Sequence, residues 1–128
     1  MKIASQDNLD IITITQVSTT HVDVGDIQFT QPFFVGTSHP ATSWETDSDI
    51  ITINTIEKLP LDYYELLLLG TGASYARLDN ECMRFLSEAI PFEVMTTISA
   101  CRTFNIVAGE GRKVLLAGLL NSNDKIVE

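Results

Sequence analysis

The feature that most constrains this chain is a succession of three apolar runs separated by two stretches of helical periodicity. The runs are residues 66–69, 92–95 and 114–120, the second of them interrupted by Glu93. An apolar stretch of this length, with no alternation, reads as a strand covered on both faces. The first run ends in Gly70-Thr71-Gly72, where the chain leaves the sheet. Residues 79–89 follow, with Cys82, Met83, Leu86 and Ala89/Ile90 at i, i+3/i+4 spacing and Phe85 widening the stripe. Asp79 stands at the N-cap position of this helix and Pro91 punctuates its end. After the second run, Ile98, Cys101, Phe104/Asn105 and Ala108 form another stripe. Thr96 or Thr97 caps that helix, and Gly109 or Gly111 stops it. Strand–helix–strand–helix–strand is the pattern of a parallel sheet with right-handed crossovers, so the second half predicts an α/β unit.

The first half is strand-rich and reads as antiparallel. Residues 9–16 are dense in β-branched side chains and form a strand candidate. Residues 21–24 and 27–30 read as a hairpin around Gly25-Asp26, where glycine in first place suits a type II′ turn. Pro32 opens residues 32–36, which are therefore expected as an edge strand or an extended segment. Residues 36–49 are polar and turn-rich around the lone Trp44. Residues 50–53 read as another short strand, and 55–59 as one helical turn stopped by Pro60. With no repeat, low-complexity tract or linker, residues 1–128 are expected to be a single domain.

Charge narrows the partners. The net charge is −9, and residues 1–66 hold two bases against ten acids, leaving the second half nearly neutral. An acidic chain without a basic stripe is repelled by phosphate backbones, so nucleic acid is not expected as a partner. A partner with a basic surface would suit the −8 half. No apolar run approaches the roughly 20 residues of a membrane span. The first seven residues show no signal-peptide pattern, which points to a cytoplasmic protein. An organellar protein with its transit peptide removed would read the same way.

Each candidate for chemistry has a structural alternative. Gly70-Thr71-Gly72 at the end of a buried strand can form a backbone nest for an anion or a carbonyl group. It can equally be a tight turn needing a positive φ. A dinucleotide fingerprint would place its third glycine where Tyr75 stands, and only Glu93 loosely meets the acid that should follow. Arg102 and Asn105 share a helix face, and Glu110 and Arg112 follow at its exit. This group reads either as a structural ion pair or as a cationic clamp for a carboxylate or phosphate. Cys82 and Cys101 lack both C-x-x-C spacing and a histidine at ligand spacing, so no metal site is expected. They read as small apolar helix residues, and neither histidine lies near Cys101 in sequence as a base.

Four motifs in order resemble a known family. They are Leu67-Leu68-Leu69-Gly70-Thr71-Gly72, Phe92-Glu93-Val94-Met95-Thr96-Thr97, Ala100-Cys101-Arg102-Thr103-Phe104-Asn105 and Gly109-Glu110-Gly111-Arg112. Together they are similar to the small-protein family that includes mitochondrial complex I assembly factor 3. Phe104 takes a place where that family usually has Tyr, and Thr96 one where it often has Asp. The resemblance implies a three-layer α/β fold, with an antiparallel β-rich element beside a mixed sheet. It also implies a non-catalytic, assembly-factor-like role. Gly70, Thr71, Gly72, Arg102, Asn105, Glu110 and Arg112 become the positions to follow. The expectation is a protein-binding module without a cofactor. The alternatives are a binder of small anionic ligands or an enzyme, with its site between the Gly70–Gly72 turn and the Arg102/Asn105 helix, and a homo-oligomer.

Overall fold

The computed structural model describes residues 13–46 and 50–120. Three strands near the N-terminus, β1 (Ile14–Val17), β2 (Val22–Val24) and β3 (Ile27–Phe29), form an antiparallel sheet in the order β1-β2-β3. Gly25 has a φ of +60° and no non-glycine residue among those described has a positive φ, so the turn between β2 and β3 has the expected type II′ signature. Of the predicted strand at 9–16, residues 14–16 lie in β1, Thr13 precedes it, and 9–12 lie outside the described residues.

The remaining strands are β4 (Phe33–Gly36), β5 (His39–Ser43), β6 (Leu66–Gly70), β7 (Phe92–Met95) and β8 (Val114–Gly118). They make a five-stranded mixed sheet ordered β5-β4-β8-β6-β7. β6 runs parallel to β7 and β8, and β4 is antiparallel to both β8 and β5. The helices are α1 (Ile53–Ile56), α2 (Asn80–Ala89) and α3 (Thr97–Gly109).

Alternation along β6 explains the layers. Leu66 and Leu68 point into one core with Phe104, Cys101 and Ala100 of α3 and with Ile14, Val22 and Val24 of the small sheet. Leu67 and Leu69 point the other way, into a second core with Cys82 and Leu86 of α2, Ile56 of α1 and Trp44. The run has no polar position because both of its faces are inside. Three layers result: α3 and the antiparallel sheet, the mixed sheet, and α1 with α2.

Five details differ from the sequence reading. β4 is an interior strand, flanked by β5 and β8, where an edge was expected. Pro32 precedes the first paired residue, Phe33, so its missing N–H falls outside the ladder. The stretch read as turn-rich contains β5, a half-exposed edge strand that tolerates Pro40. The β-branched residues 50–53 form no strand. Thr52 and Thr55 make a reciprocal capping box that starts α1 instead. β7 is an edge strand with Phe92, Val94 and Met95 half-buried and Glu93 exposed, where full burial was expected. On α2, Met83 and Ala89 are exposed, so the buried stripe is Cys82 and Leu86, continued by Ile90 at the C-cap.

Candidate functional site

The crossovers create a natural crevice. The chain leaves β6 over one face of the sheet through α2, and leaves β7 over the other through α3. Open α/β sheets bind ligands where the connections of neighbouring strands diverge in this way, at the carboxyl ends of the strands. Here that point lies between Gly70-Thr71-Gly72 and Met95-Thr96-Thr97.

Thr97 occupies the crevice. It is the first residue of α3 and 2% exposed, while Thr96 serves as the N-cap by accepting from the Ser99 N–H. The Thr97 hydroxyl accepts from the Gly72 N–H at 2.9 Å and donates to the Leu119 carbonyl at 2.8 Å. Its backbone N–H, one of the free donors of a helix start, reaches the Gly72 carbonyl at 3.0 Å. The Thr71 N–H donates to the Met95 carbonyl at 2.9 Å. The amides of Thr71 and Gly72, two of those a nest would offer, are thus engaged inside the fold.

The glycines make room for this lock. Gly70 and Gly118 pair side by side on β6 and β8. A Cβ at Gly70 would lie 2.7 Å from Thr97 Cα and 2.6 Å from Oγ1, and one at Gly118 would lie 3.1 Å from Thr97 Cγ2. The two positions form a notch for Thr97. Gly72 has a φ of +104°, which fits the tight-turn reading.

The other expected site residues lie elsewhere. Asn105 is eight residues beyond Thr97, about 12 Å further along the helix at 1.5 Å per residue. It clasps the backbone of Ile14: its Oδ1 accepts from the Ile14 N–H at 3.0 Å and its Nδ2 donates to the Ile14 carbonyl at 2.8 Å. Arg102 is exposed on α3, and Glu110 and Arg112 are exposed at the helix exit. Among the described residues no ion pair joins Arg102 to Glu110, where one was considered from the sequence. The structure therefore brings Gly70, Thr71 and Gly72 together with Thr97, and leaves Arg102, Asn105, Glu110 and Arg112 apart from them.

Asn105→Ala should release β1 from α3. Two neutral hydrogen bonds at about 0.5–1.5 kcal/mol each put the cost at about 1–3 kcal/mol. Chemical denaturation gives the stability and hydrogen exchange at the Ile14 amide gives the location. An unchanged Ile14 exchange rate would contradict the clasp.

The thiols are passive. Cys82 and Cys101 are free, buried and on opposite faces of the mixed sheet. Burial pushes Cys101 up to about 12. Burial, aided by the Asp79 carboxylate, does the same to Cys82. Both stay protonated near neutrality, and a protonated thiol is a poor nucleophile.

Two features were not anticipated. A cavity of about 200 Å³ opens at the carboxyl ends of β6 and β8, on the α2 face. Ile51, Leu78 and Leu119 line its buried part, with Thr71 in its wall and Arg77 and Asp79 also lining it. Its sequence signal was weak, since its lining comes from the loop after β6 and from residues 50–51. At the opposite end of the sheet, the Tyr64 hydroxyl accepts from the Ser38 N–H at 3.1 Å and hydrogen-bonds His39 Nδ1. Burial raises Tyr64 above the usual tyrosine value. His39 joins this pair from the β5 edge, which the sequence reading had taken for a turn.

Asp79 gives a pH-dependent prediction. The Cys82 N–H, donating to Asp79 Oδ1 at 2.8 Å, holds this carboxyl below its ordinary value. A folded-state value below the unfolded one gives stability that is present above the unfolded value and lost as pH falls through the folded one. Asp79→Asn keeps a capping side chain but does not titrate. The stability gap between wild type and Asp79→Asn should therefore hold from about pH 6 to about pH 5 and shrink as pH falls below about 3.9. Urea midpoints along that series test it, and parallel curves would contradict it.

Residues 14–119 match the family described as "Protein of unknown function (DUF498/DUF598)". The chain belongs to this family. It is similar to NADH dehydrogenase [ubiquinone] 1 alpha subcomplex assembly factor 3 of Xenopus tropicalis, at 37% identity over 57 residues. That stretch covers 44% of this chain and only 31% of the frog protein. A crystal structure from Bordetella parapertussis is 28% identical with a TM-score of 0.75, covering 86% of this chain and 96% of that one. A solution structure from Bordetella pertussis, described as an Mth938-like domain, is 25% identical with a TM-score of 0.74, covering 88% and 87%. The four motifs thus pointed to the right family, and the three-layer α/β fold is that of this member. Among the described residues no helix is long and apolar enough to cross a membrane.

Proposed function

We propose that this chain is a non-enzymatic protein-binding module that holds a partner polypeptide, a reading that the name of its relative, an assembly factor, supports. The observation that carries the reading is the exposure of Arg102, Glu110 and Arg112 along α3 and its exit, without an ion pair among the described residues. Charged side chains that hold nothing inside their own fold are available to a partner, and arginine is enriched at interfaces. The partner surface we propose is basic overall, to suit the acidic first half, with an acidic group for Arg102. The acids are not gathered on one face. Asp23 lies on the antiparallel sheet and Glu57 and Asp62 lie beyond it on the α1 side. Their effect is a general field that speeds encounter. We place the encounter in the cytoplasm.

The experiment is capture of a partner with the tagged chain, identification by mass spectrometry, and calorimetry on the purified pair. Affinity should fall several-fold between about 50 and 300 mM salt. Folded Arg102→Ala should bind about 2- to 5-fold more weakly, the range of an exposed ion pair. Salt-independent affinity with wild-type binding by Arg102→Ala would overturn the reading. So would self-association as the only interaction recovered.

A further inference from the structure

The mixed sheet ends in two edges, β5 and β7. β5 is blunted: it carries Pro40, which has no N–H to offer, and its register with β4 is broken by an irregularity. β7 is regular, and Phe92, Glu93, Val94 and Met95 pair in step with residues 67–70 of β6. The Leu67 N–H donates to the Pro91 carbonyl and the Thr71 N–H to the Met95 carbonyl, both at 2.9 Å. In a parallel ladder these bonds fix the phase. The backbone of Glu93 faces β6, and the N–H and C=O groups of Phe92 and Val94 face away from it. Those four groups have no partner among the described residues. Side chains alternate across the strand. Phe92 and Val94 are half-buried on the α2 face, and Glu93, opposite Leu68, is exposed on the α3 face. Glu93 makes no ion pair among the described residues, and no base occurs in the sequence between Arg84 and Arg102.

We propose that β7 takes an extended segment of a partner polypeptide as an added antiparallel strand, with a lysine or arginine of that segment opposite Glu93. Strand addition satisfies the four outward backbone groups, and antiparallel pairing is the more stable kind per residue. Charge decides the occupant. Residues directly opposite across an antiparallel pair share a face, so a base facing Glu93 attracts and an acid repels. A second copy of this chain is disfavoured for that reason. The two-fold register that uses Phe92 and Val94 of both copies sets Glu93 directly against Glu93. The residues flanking the base lie beside Phe92 and Val94 on the other face, so they are apolar. The inference rests on the protein-binding reading, whose partner is basic, and adds a contact at the edge of the sheet.

The test uses the full chain, ¹H–¹⁵N spectra and blocked pentapeptides. The probe is acetyl-Thr-Val-Lys-Val-Thr-amide. One control replaces Lys by Glu. A second carries N-methyl groups on both valines, which removes the N–H groups that bond β7. Without peptide, the amides of Phe92 and Val94 should exchange fast while those of Glu93 and Met95 are protected. The Lys peptide should shift Phe92, Glu93 and Val94 saturably, with a Kd of about a millimolar, and slow exchange at Phe92 and Val94 at saturation. The N-methylated peptide should bind at least about 5-fold more weakly. The Glu peptide should bind at least about 3-fold more weakly. Glu93→Lys, at an exposed position, should reverse the order of the Lys and Glu peptides. Absence of saturable shifts at these amides up to about 20 mM would overturn the proposal. Equal binding of the N-methylated peptide, or an unchanged order of peptides with Glu93→Lys, would overturn it as well. So would Phe92 and Val94 amides already protected in the chain alone, since the edge would then be covered. Partner capture that survives Glu93→Lys and fails with Arg102→Ala would sink the edge contact while the protein-binding reading stands.

Discussion

Phe104→Ala is expected to cost about 3–5 kcal/mol, the range for removing a fully buried phenylalanine. Phe104 has no exposed surface and sits where α3 packs on the central sheet, in one core with Leu66, Leu68, Val114 and Leu116. It also shares that core with Ile14, Val22 and Val24, so the cavity left behind opens between two sheets and a helix. A domain of this size has about 5–15 kcal/mol in all, so the variant should sit near the edge of folding. Urea denaturation followed by far-UV circular dichroism measures it. A loss below about 1.5 kcal/mol would mean that α3 does not pack on the sheet as described.

Thr97→Val should be nearly as damaging although it barely changes volume. The hydroxyl it removes satisfies the buried Gly72 N–H and the Leu119 carbonyl. A buried group left without a partner costs about 1–3 kcal/mol, so the pair amounts to about 2–6 kcal/mol. Thr97→Ser keeps the hydroxyl and loses only the methyl that fills the notch at Gly118, so about 1 kcal/mol is expected. The ordering separates hydrogen bonding from packing. If serine were worse than valine, the notch would matter through its volume alone.

These two residues show what the sequence revealed and what it hid. The continuous apolar runs at 66–69 and 114–120 could only be central strands, because every second side chain would otherwise face water. The Asp79 and Thr96 caps were legible because capping is a local interaction. β5 was not, because an exposed edge strand carries polar side chains and can include Pro40. α1 was expected only as a turn at 55–59 and begins earlier, because the Thr52–Thr55 capping box outweighed the β-propensity of Ile50, Ile51 and Ile53. For the site, the Gly-Thr-Gly turn was visible as a break in a strand. Its partner Thr97 lies 25 residues away, and nothing local marks the side chain that fills a notch. Asn105 clasps Ile14 across 91 residues, a distance at which periodicity says nothing. Arg77 went unremarked because a lone arginine in a polar loop has no pattern.

The carboxyl end of the central sheet is where the fold is most directly tested. On the α3 side Thr97 closes the crevice and takes up the Gly72 amide. Native-state hydrogen exchange at the Gly72 amide, with and without millimolar inorganic phosphate, tests this most directly. The account predicts an amide protected to the level of Leu68 and unmoved by phosphate. Exchange near the unprotected rate, or a saturable shift of Gly72 on adding phosphate, would show the turn open as an anion site and contradict it.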